Sequence, residues 1–143
     1  MLDLLTMQLV RIRGESMCPA LKDGAWVLVY RRAYRRGKLP ARLDIVRLEE
    51  PGRRGHWIVK RIVGLPGEEV RMAGGRLFVD GDELADQRLW RSGDDGSGQT
   101  HQWWPRTDEY VVIGDNLEGS TDSRKFGVAP LTAITGKVVR RLH

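Results

Sequence analysis

The sequence predicts a mainly β protein with little helix. Its apolar runs are short, rich in β-branched residues and separated by glycine, proline and charged residues, which is typical of strands joined by turns. The pairs Gly74-Gly75 and Asp80-Gly81 are of the kind that close β-hairpins. No apolar run approaches the roughly 20 residues that a membrane-spanning helix requires, so we expect no transmembrane segment.

Eight strands are predicted from these runs. They are Met7–Ile12, Trp26–Tyr30, Asp44–Leu48, Trp57–Val63, Glu69–Met72, Arg76–Val79, Tyr110–Ile113 and Lys137–Leu142. Pro130–Ile134 is predicted to form one helical turn before the last strand. The segments Arg31–Arg42, with six basic residues, and Arg91–Thr100, which has no aliphatic side chain, are predicted to be solvated loops.

The composition sets only broad limits on function. With 143 residues and 41% hydrophobic content, the chain fits one domain, residues 1–143. The formal charge of +5 is too small to predict a nucleic-acid partner. Cys18 is the one cysteine, so no internal disulfide can form. His56, His101 and His143 have no metal-ligand spacing with it or with one another, so we expect no metal or other cofactor.

A first motif surrounds Ser16, in the run Gly14-Glu15-Ser16-Met17-Cys18-Pro19. The serine follows a glycine-containing turn, and Pro19 prevents a helix from starting there, so its hydroxyl is expected on a rigid bend. Glycine-x-serine also occurs in ordinary loops, and a serine needs a base before it can act as a nucleophile. No base lies near Ser16 in the sequence, so a catalytic base must come from a distant segment.

Lys60 is the candidate base, in the run Val59-Lys60-Arg61-Ile62-Val63-Gly64-Leu65-Pro66-Gly67. The two-residue period of a strand places Lys60 on one face with Ile58 and Ile62. The usual lysine pKa of about 10.4 is too high for a base at neutral pH, but burial beside apolar neighbours lowers it. A strand lysine can instead deter edge aggregation or extend into water, so both interpretations stay open.

A polar run, Gly114 to Arg124, follows the predicted strand Tyr110–Ile113. Its polar members are Asp115, Asn116, Ser120, Asp122, Ser123 and Arg124. One interpretation is a surface turn with local side-chain caps. The other is an internal network in which Asp122 pairs with Arg124 and Ser120 hydrogen-bonds the lysine amine.

Together, these three motifs resemble the type I signal peptidase family, endopeptidases that remove signal peptides with a Ser-Lys dyad. The pattern Ser-Met-x-Pro-x-Leu begins at Ser16. The pattern Lys-Arg-x-x-Gly-x-Pro-Gly-[Asp/Glu] runs from Lys60 to Glu68. The pattern Gly-Asp-Asn-x-x-x-Ser-x-Asp-Ser-Arg-x-x-Gly runs from Gly114 to Gly127. Three patterns in this order form a specific signal that covers most of the chain.

The resemblance implies a signal-peptidase-like catalytic domain of coiled antiparallel sheets, with a role for each matched residue. Ser16 would be the nucleophile, and its backbone amide would be one oxyanion donor. Lys60 would be the general base. Ser120 would orient the lysine, while Asp122 and Arg124 would brace the site.

The chain also departs from the family pattern. Asp115 matches a further structural acidic position, but Gly14 stands where some members carry a serine that is the second oxyanion donor. The resemblance therefore leaves that donor unassigned. Family members carry a membrane anchor before the serine motif, whereas 15 residues precede Ser16 here, so we expect no anchoring by a spanning helix.

The implied partners are precursor polypeptides that are cleaved after small residues. Peripheral contact with an anionic membrane is a second expectation, because the basic Arg31–Arg42 loop and an exposed set of Trp90, Trp103 and Trp104 would suit such an interface. The same groups would also suit a solvated charge run and caps on the β core. The family analogy favours membrane association, and a peripheral or cytoplasmic location stays open.

Two alternative functions also stay open. One is a soluble maturation protease for a single dedicated precursor, such as the nickel superoxide dismutase propeptide that small relatives process. The other is a catalytically silent β module that binds peptides by strand addition. The intact Ser16 and Lys60 favour an enzyme.

Overall fold

The computed structural model describes residues 4–90 and 98–142, in which eleven strands form two antiparallel sheets. The strands are β1 (Met7–Arg11), β2 (Trp26–Tyr30), β3 (Ile45–Glu49), β4 (Trp57–Gly64), β5 (Val70–Ala73), β6 (Arg76–Val79), β7 (Asp82–Glu83), β8 (His101–Trp103), β9 (Glu109–Ile113), β10 (Ala129–Pro130) and β11 (Ile134–Leu142). Helical structure there comprises α1 (Ser123–Phe126) and the 3-10 turns Leu4–Thr6, Leu117–Gly119 and Leu131–Ala133. No helix in these two ranges is long and apolar enough to cross a membrane. The prediction of a mainly β fold with little helix is confirmed.

The larger sheet has seven strands in the order β1-β2-β11-β3-β4-β9-β10, and the smaller has four in the order β7-β6-β5-β8. Register shifts interrupt the pairing of β11 with both of its neighbours and the pairing of β4 with β9. Because such irregularities bend a strand and increase its twist, the larger sheet curls. Its inner strand β4 is thereby surrounded by packed side chains.

Strand β4 contributes side chains to all three apolar clusters of the core. Val63 belongs to the cluster between the two sheets, and Ile62 belongs to a second cluster within the curl of the larger sheet. Val59 packs against a third cluster, under the segment that carries Ser16. Ile58 packs with Ile62 on the second cluster, as the two-residue period predicted. Lys60 therefore lies on a strand whose side chains from Lys60 to Gly64 are all buried.

All eight predicted strands are present, with small shifts at their ends. The largest shift is in β11, which begins at Ile134 rather than at Lys137. The sequence did not reveal β7, β8 and β10, because each has only two or three residues. The helical turn predicted at Pro130–Ile134 is the 3-10 turn Leu131–Ala133. Of the predicted loop Arg91–Thr100, residues 91–97 lie outside the described ranges.

The expected set of exposed tryptophans is only partly correct. Trp103 is 8% exposed, and its Nε1 donates to the carbonyl oxygen of Ser123 at 3.1 Å. Trp90 is half-buried, and its Nε1 donates to the carbonyl oxygen of Gly75. Trp104 is 63% exposed. The physical reason is alternation: Trp103 ends β8 on its core side, so the next side chain points to solvent.

Candidate active site

The structure brings Ser16 and Lys60 together across 44 residues of sequence. Lys60 Nζ donates to Ser16 Oγ at 2.8 Å. Ser16 lies in the turn region that follows β1, and the next residue, Met17, is 1% exposed within the third apolar cluster. The buried methionine fixes the turn, so the serine hydroxyl is held against the middle of β4.

The surroundings of Lys60 favour its neutral form. The residue is 4% exposed, and burial lowers the pKa of its amine from the ordinary value of 10.5. The carboxylates of Asp122 and Glu50 oppose this shift in pKa, with a smaller effect from Asp115. The positive charge of Arg124 adds to the lowering. Desolvation is the largest of these effects, so the net result is a lowered pKa for the amine that contacts the Ser16 hydroxyl.

Asn116 holds the backbone on both sides of the serine. Its backbone N–H donates to the Ser16 carbonyl oxygen at 2.9 Å, and its Nδ2 donates to the Glu15 carbonyl oxygen at 3.1 Å. On the other side, the Gly14 N–H donates to Asp23 Oδ1 at 2.8 Å. Within the described part of the chain, the Ser16 N–H makes no hydrogen bond. It is therefore free to donate to a substrate oxygen.

Asp122 is the centre of a polar network beneath the site. It is fully buried, and its Oδ2 accepts from Ser120 Oγ at 2.8 Å and from the Gly114 N–H at 3.0 Å. Arg124 hydrogen-bonds both carboxylate oxygens: Nε donates to Oδ1 and Nη2 donates to Oδ2, each at 2.9 Å. Within the described residues, Ser120 makes no hydrogen bond with Lys60; its hydroxyl donates to Asp122, which leaves its oxygen able to accept. The role of Ser120 in orienting the lysine stays a prediction.

A buried ion pair fastens the same polar run to β4. Arg61 Nε and Nη2 donate to Asp115 Oδ1 and Oδ2, both at 2.8 Å. The two side chains are 5% and 2% exposed. Arg61 Nη1 also donates to the Leu43 carbonyl oxygen at 2.9 Å. Since Arg61 directly follows Lys60, this pair fixes the loop next to the base.

Gly114 permits the close approach of three segments. A Cβ at this position would lie 2.1 Å from Ser120 Oγ and 2.7 Å from the Ser16 carbonyl oxygen. Backbone cannot move aside as easily as a flexible side chain, so only glycine fits between the turn that carries Ser16 and the Asp122 network.

Ser16 and Lys60 open into a cleft of about 480 Å³. The end of β1 forms one wall, and residues of β3, β4 and the loop between them form the other. Glu50, which is 6% exposed, lines this cleft. Sequence reasoning missed Glu50, because it looks like an ordinary turn residue after a strand. It also missed the clamp by Asn116, although the Gly-Asp-Asn motif was a signal for it.

Comparisons with known proteins agree with this arrangement. The sequence model described as "Signal peptidase, peptidase S26" matches residues 1–142. Signal peptidase I of Leptolyngbya laminosa is 32% identical over 141 residues, which cover 91% of this chain and 66% of that protein. Signal peptidase IB of Staphylococcus aureus is 34% identical over 142 residues, with 89% and 73% covered. The chain therefore spans about two thirds to three quarters of the length of these relatives.

A solved structure also matches. The crystal structure of a signal peptidase I from Enterococcus faecalis superposes with a TM-score of 0.61 at 28% sequence identity, covering 71% of this chain and 98% of that one. The fold, the family sequence model and the relatives agree. This chain belongs to the signal peptidase family.

Proposed function

We propose that this chain is a serine endopeptidase that cleaves precursor polypeptides, with Ser16 as nucleophile, Lys60 as general base and residues 1–143 as one catalytic domain. The observation that carries the proposal is the 2.8 Å contact between Lys60 Nζ and Ser16 Oγ. A surface lysine would be protonated at neutral pH, but this one is 4% exposed and its pKa is lowered by burial. Ser-Lys pairs are a known variant of serine-protease chemistry.

The reaction has two halves. Neutral Lys60 takes the hydroxyl proton as Ser16 Oγ attacks the substrate carbonyl carbon, and the Ser16 N–H donates to the developing oxyanion. Protonated Lys60 then gives its proton to the departing amine as the peptide bond breaks, which leaves an acyl group on Ser16. In the second half, Lys60 takes a proton from a water molecule as the water oxygen attacks the acyl carbon. The bond from that carbon to Ser16 Oγ then breaks, the peptide leaves as a carboxylic acid, and Lys60 returns its proton to Ser16 Oγ.

The polar network has a positioning role in this proposal. Lys60 becomes positively charged when it accepts the proton, and the Asp122 carboxylate stabilises that charge. Ser120 and Arg124 both hydrogen-bond Asp122, so they fix the carboxylate rather than touch the substrate. Asp115 holds the loop in register with β4 through Arg61. Removal of these groups should lower turnover without removing the nucleophile.

Family membership supports signal peptides or propeptides as substrates, with small side chains at the first and third positions before the cut. A soluble maturation protease for one precursor would use the same chemistry. A silent peptide-binding module would not need a buried lysine in contact with a serine hydroxyl. Burying an amine costs folding free energy, and in such a module this cost would bring no gain in peptide affinity. The geometry therefore favours an enzyme.

Peripheral contact with an anionic membrane also belongs to this proposal, on a surface different from the tryptophan set predicted above. Adjacent strands β1, β2 and β11 expose Leu9 at 53%, Trp26 at 40% and Val139 at 38%. The basic loop Arg31–Arg42 directly follows β2. An apolar face with a cationic rim suits the interface of an anionic bilayer.

The test of the protease is cleavage of a precursor that carries an Ala-x-Ala site, followed by mass spectrometry of the products. Wild-type protein should cut after the second alanine, and Ser16→Ala and Lys60→Met should each remove cleavage while circular dichroism shows an intact fold. Lys38→Met, at an exposed lysine of the basic loop, is the matched control and should keep full activity. Turnover by Ser16→Ala or Lys60→Met would refute the assigned role of that residue.

A further inference from the structure

The cleft beside Ser16 contains a partly desolvated arginine that has no carboxylate partner. Arg47 on β3 donates from Nη1 to Thr135 Oγ1 at 3.1 Å, and its guanidinium lies 4.4 Å from the ring centre of Trp57. Burial lowers the pKa of Arg47, and none of the described residues forms a salt bridge with it. A guanidinium removed from water in this way is stabilised by an anion, which must come from outside.

Two further arginines line the opposite wall of the same cleft. Arg11 ends β1 and lies 5.9 Å from the ring centre of Trp26, and Arg13 is exposed in the segment that leads to Ser16. In the described ranges neither forms a salt bridge. The lining of the cleft thus includes arginines from two separate segments, β3 and the end of β1 with the residues that follow it.

Glu50, the acidic residue among those that line the cleft, already has basic neighbours. Glu50 Oε2 lies 3.6 Å from Arg53 Nε, and its Oε1 lies 3.9 Å from His56 Nε2. The charge of Glu50 is thus offset by Arg53. Among the described lining residues, the charges of Arg11, Arg13 and Arg47 remain without an opposite charge.

We propose that this cleft selects peptides that carry an aspartate or glutamate close to the bond that is cut. The inference rests on the proposed function in one respect, that substrate peptides occupy this cleft. Its volume of about 480 Å³ is in the range of small-ligand pockets, so it holds only a short stretch of peptide around the reacting carbonyl. A carboxylate on that stretch lies within reach of a long arginine side chain from either wall.

The experiment measures binding, so that it does not depend on turnover. Ser16→Ala protein is titrated into fluorescent ten-residue peptides with a central Ala-x-Ala site, in which each flanking position in turn is Asp, Asn or Lys. At one or two positions, we expect Asp to bind about 10-fold more tightly than the isosteric Asn, and Lys to bind more weakly than Asn. The Asp/Asn ratio should fall when salt is raised from about 50 mM to about 500 mM.

Variants identify the source of the preference. Arg47→Gln and Arg13→Gln should each reduce the Asp/Asn ratio severalfold. Arg140→Gln removes an equal charge from an exposed position on β11 outside the cleft, and it should leave the ratio unchanged. If Arg47→Gln does not fold, the Asp/Asn ratio of Arg13→Gln, a variant at an exposed position, tests the inference by itself. Equal binding of Asp and Asn peptides at every position, or an unaltered ratio in the cleft variants, would overturn the inference.

Cleavage by the wild-type protein separates this inference from the protease itself. If Asp and Asn peptides are cut efficiently at the same rate and bind equally, the protease function is supported and the acidic preference is refuted. If Asp peptides bind selectively but no peptide is cut, the acidic preference is supported and the protease function is refuted.

Discussion

The Arg61–Asp115 pair supplies the sharpest test of how the site is held. Asp115→Asn keeps the size of the side chain but removes its charge. The Arg61 guanidinium then stays charged and 5% exposed, but it has lost its anionic partner. It keeps its hydrogen bond to the Leu43 carbonyl oxygen, which carries no charge. Breaking a buried ion pair in this way costs about 3–5 kcal/mol, because the remaining charge is neither solvated nor paired.

That cost is large for a protein of 143 residues. Domains of this size have a free energy of unfolding of about 5–15 kcal/mol, so about a fifth or more of the total is lost. At roughly 3 °C per kcal/mol for such a chain, the thermal midpoint should fall by about 9–15 °C. Urea unfolding, followed by tryptophan fluorescence, gives the free energy, and calorimetry gives the midpoint.

The chain contains a matched control. Arg76 and Glu83 also form a two-pronged ion pair, with Nε–Oε1 at 2.9 Å and Nη2–Oε2 at 2.6 Å, but their side chains are 56% and 39% exposed. Because water solvates the remaining arginine, Glu83→Gln should leave the midpoint close to that of the wild type. The double variant Arg61→Met with Asp115→Leu should recover much of the lost stability, since it leaves no buried charge.

Equal shifts in Asp115→Asn and Glu83→Gln would refute the reasoning, because burial would then not determine the cost. A double variant as unstable as Asp115→Asn alone would also contradict it, since the loss could then not be assigned to an unpaired charge.

Three further predictions concern the site and the surface. Activity should rise with pH as Lys60 loses its proton, with a midpoint below the ordinary lysine pKa because burial lowers the pKa of this amine. Glu50→Gln should move this acidic limb to lower pH, because Glu50 raises the Lys60 pKa; a limb that stays in place in a pH–kcat/KM profile would exclude this coupling. Gly114→Ala should lower the free energy of unfolding by about 1–3 kcal/mol and reduce turnover, because its Cβ overlaps the nucleophile turn; wild-type urea curves and rates would contradict the close packing. Trp26→Ser should weaken sedimentation with anionic vesicles, whereas Trp104→Ser, at a tryptophan outside the β1–β2–β11 face, should not; equal losses would remove the assigned surface.

The strands could be predicted because alternation is a local property. Side chains of β2 and β6 alternate along the backbone, and their predicted ends match the structure. The strand β10 pairs through only two residues, Ala129 and Pro130, and two residues contain no period. The burial of Trp103 could not be predicted, because it comes from contacts with residues that are distant in sequence.

Some contacts around Ser16 could be predicted from the sequence, and others could not. The order of the motifs indicated that Ser16 and Lys60 would meet, and the structure brings them to 2.8 Å. The partner of Ser120 could not be read in the same way. Its hydroxyl can donate to a carboxylate and accept from an amine, and the structure shows the first of these contacts, to Asp122 two residues away.

The adjacency of Lys60 and Arg61 on β4 links chemistry to strand register. Successive side chains leave opposite sides of a strand, so Lys60 contacts Ser16 while Arg61 binds Asp115 of the polar run. A slip of one position in the β3–β4 ladder would place a permanently charged guanidinium opposite the serine and a short amine opposite Asp115. Molecules with this shifted register would therefore be inactive rather than weakly active. The fraction of active enzyme in a preparation would then equal the fraction of chains in which β3 and β4 pair in the correct register.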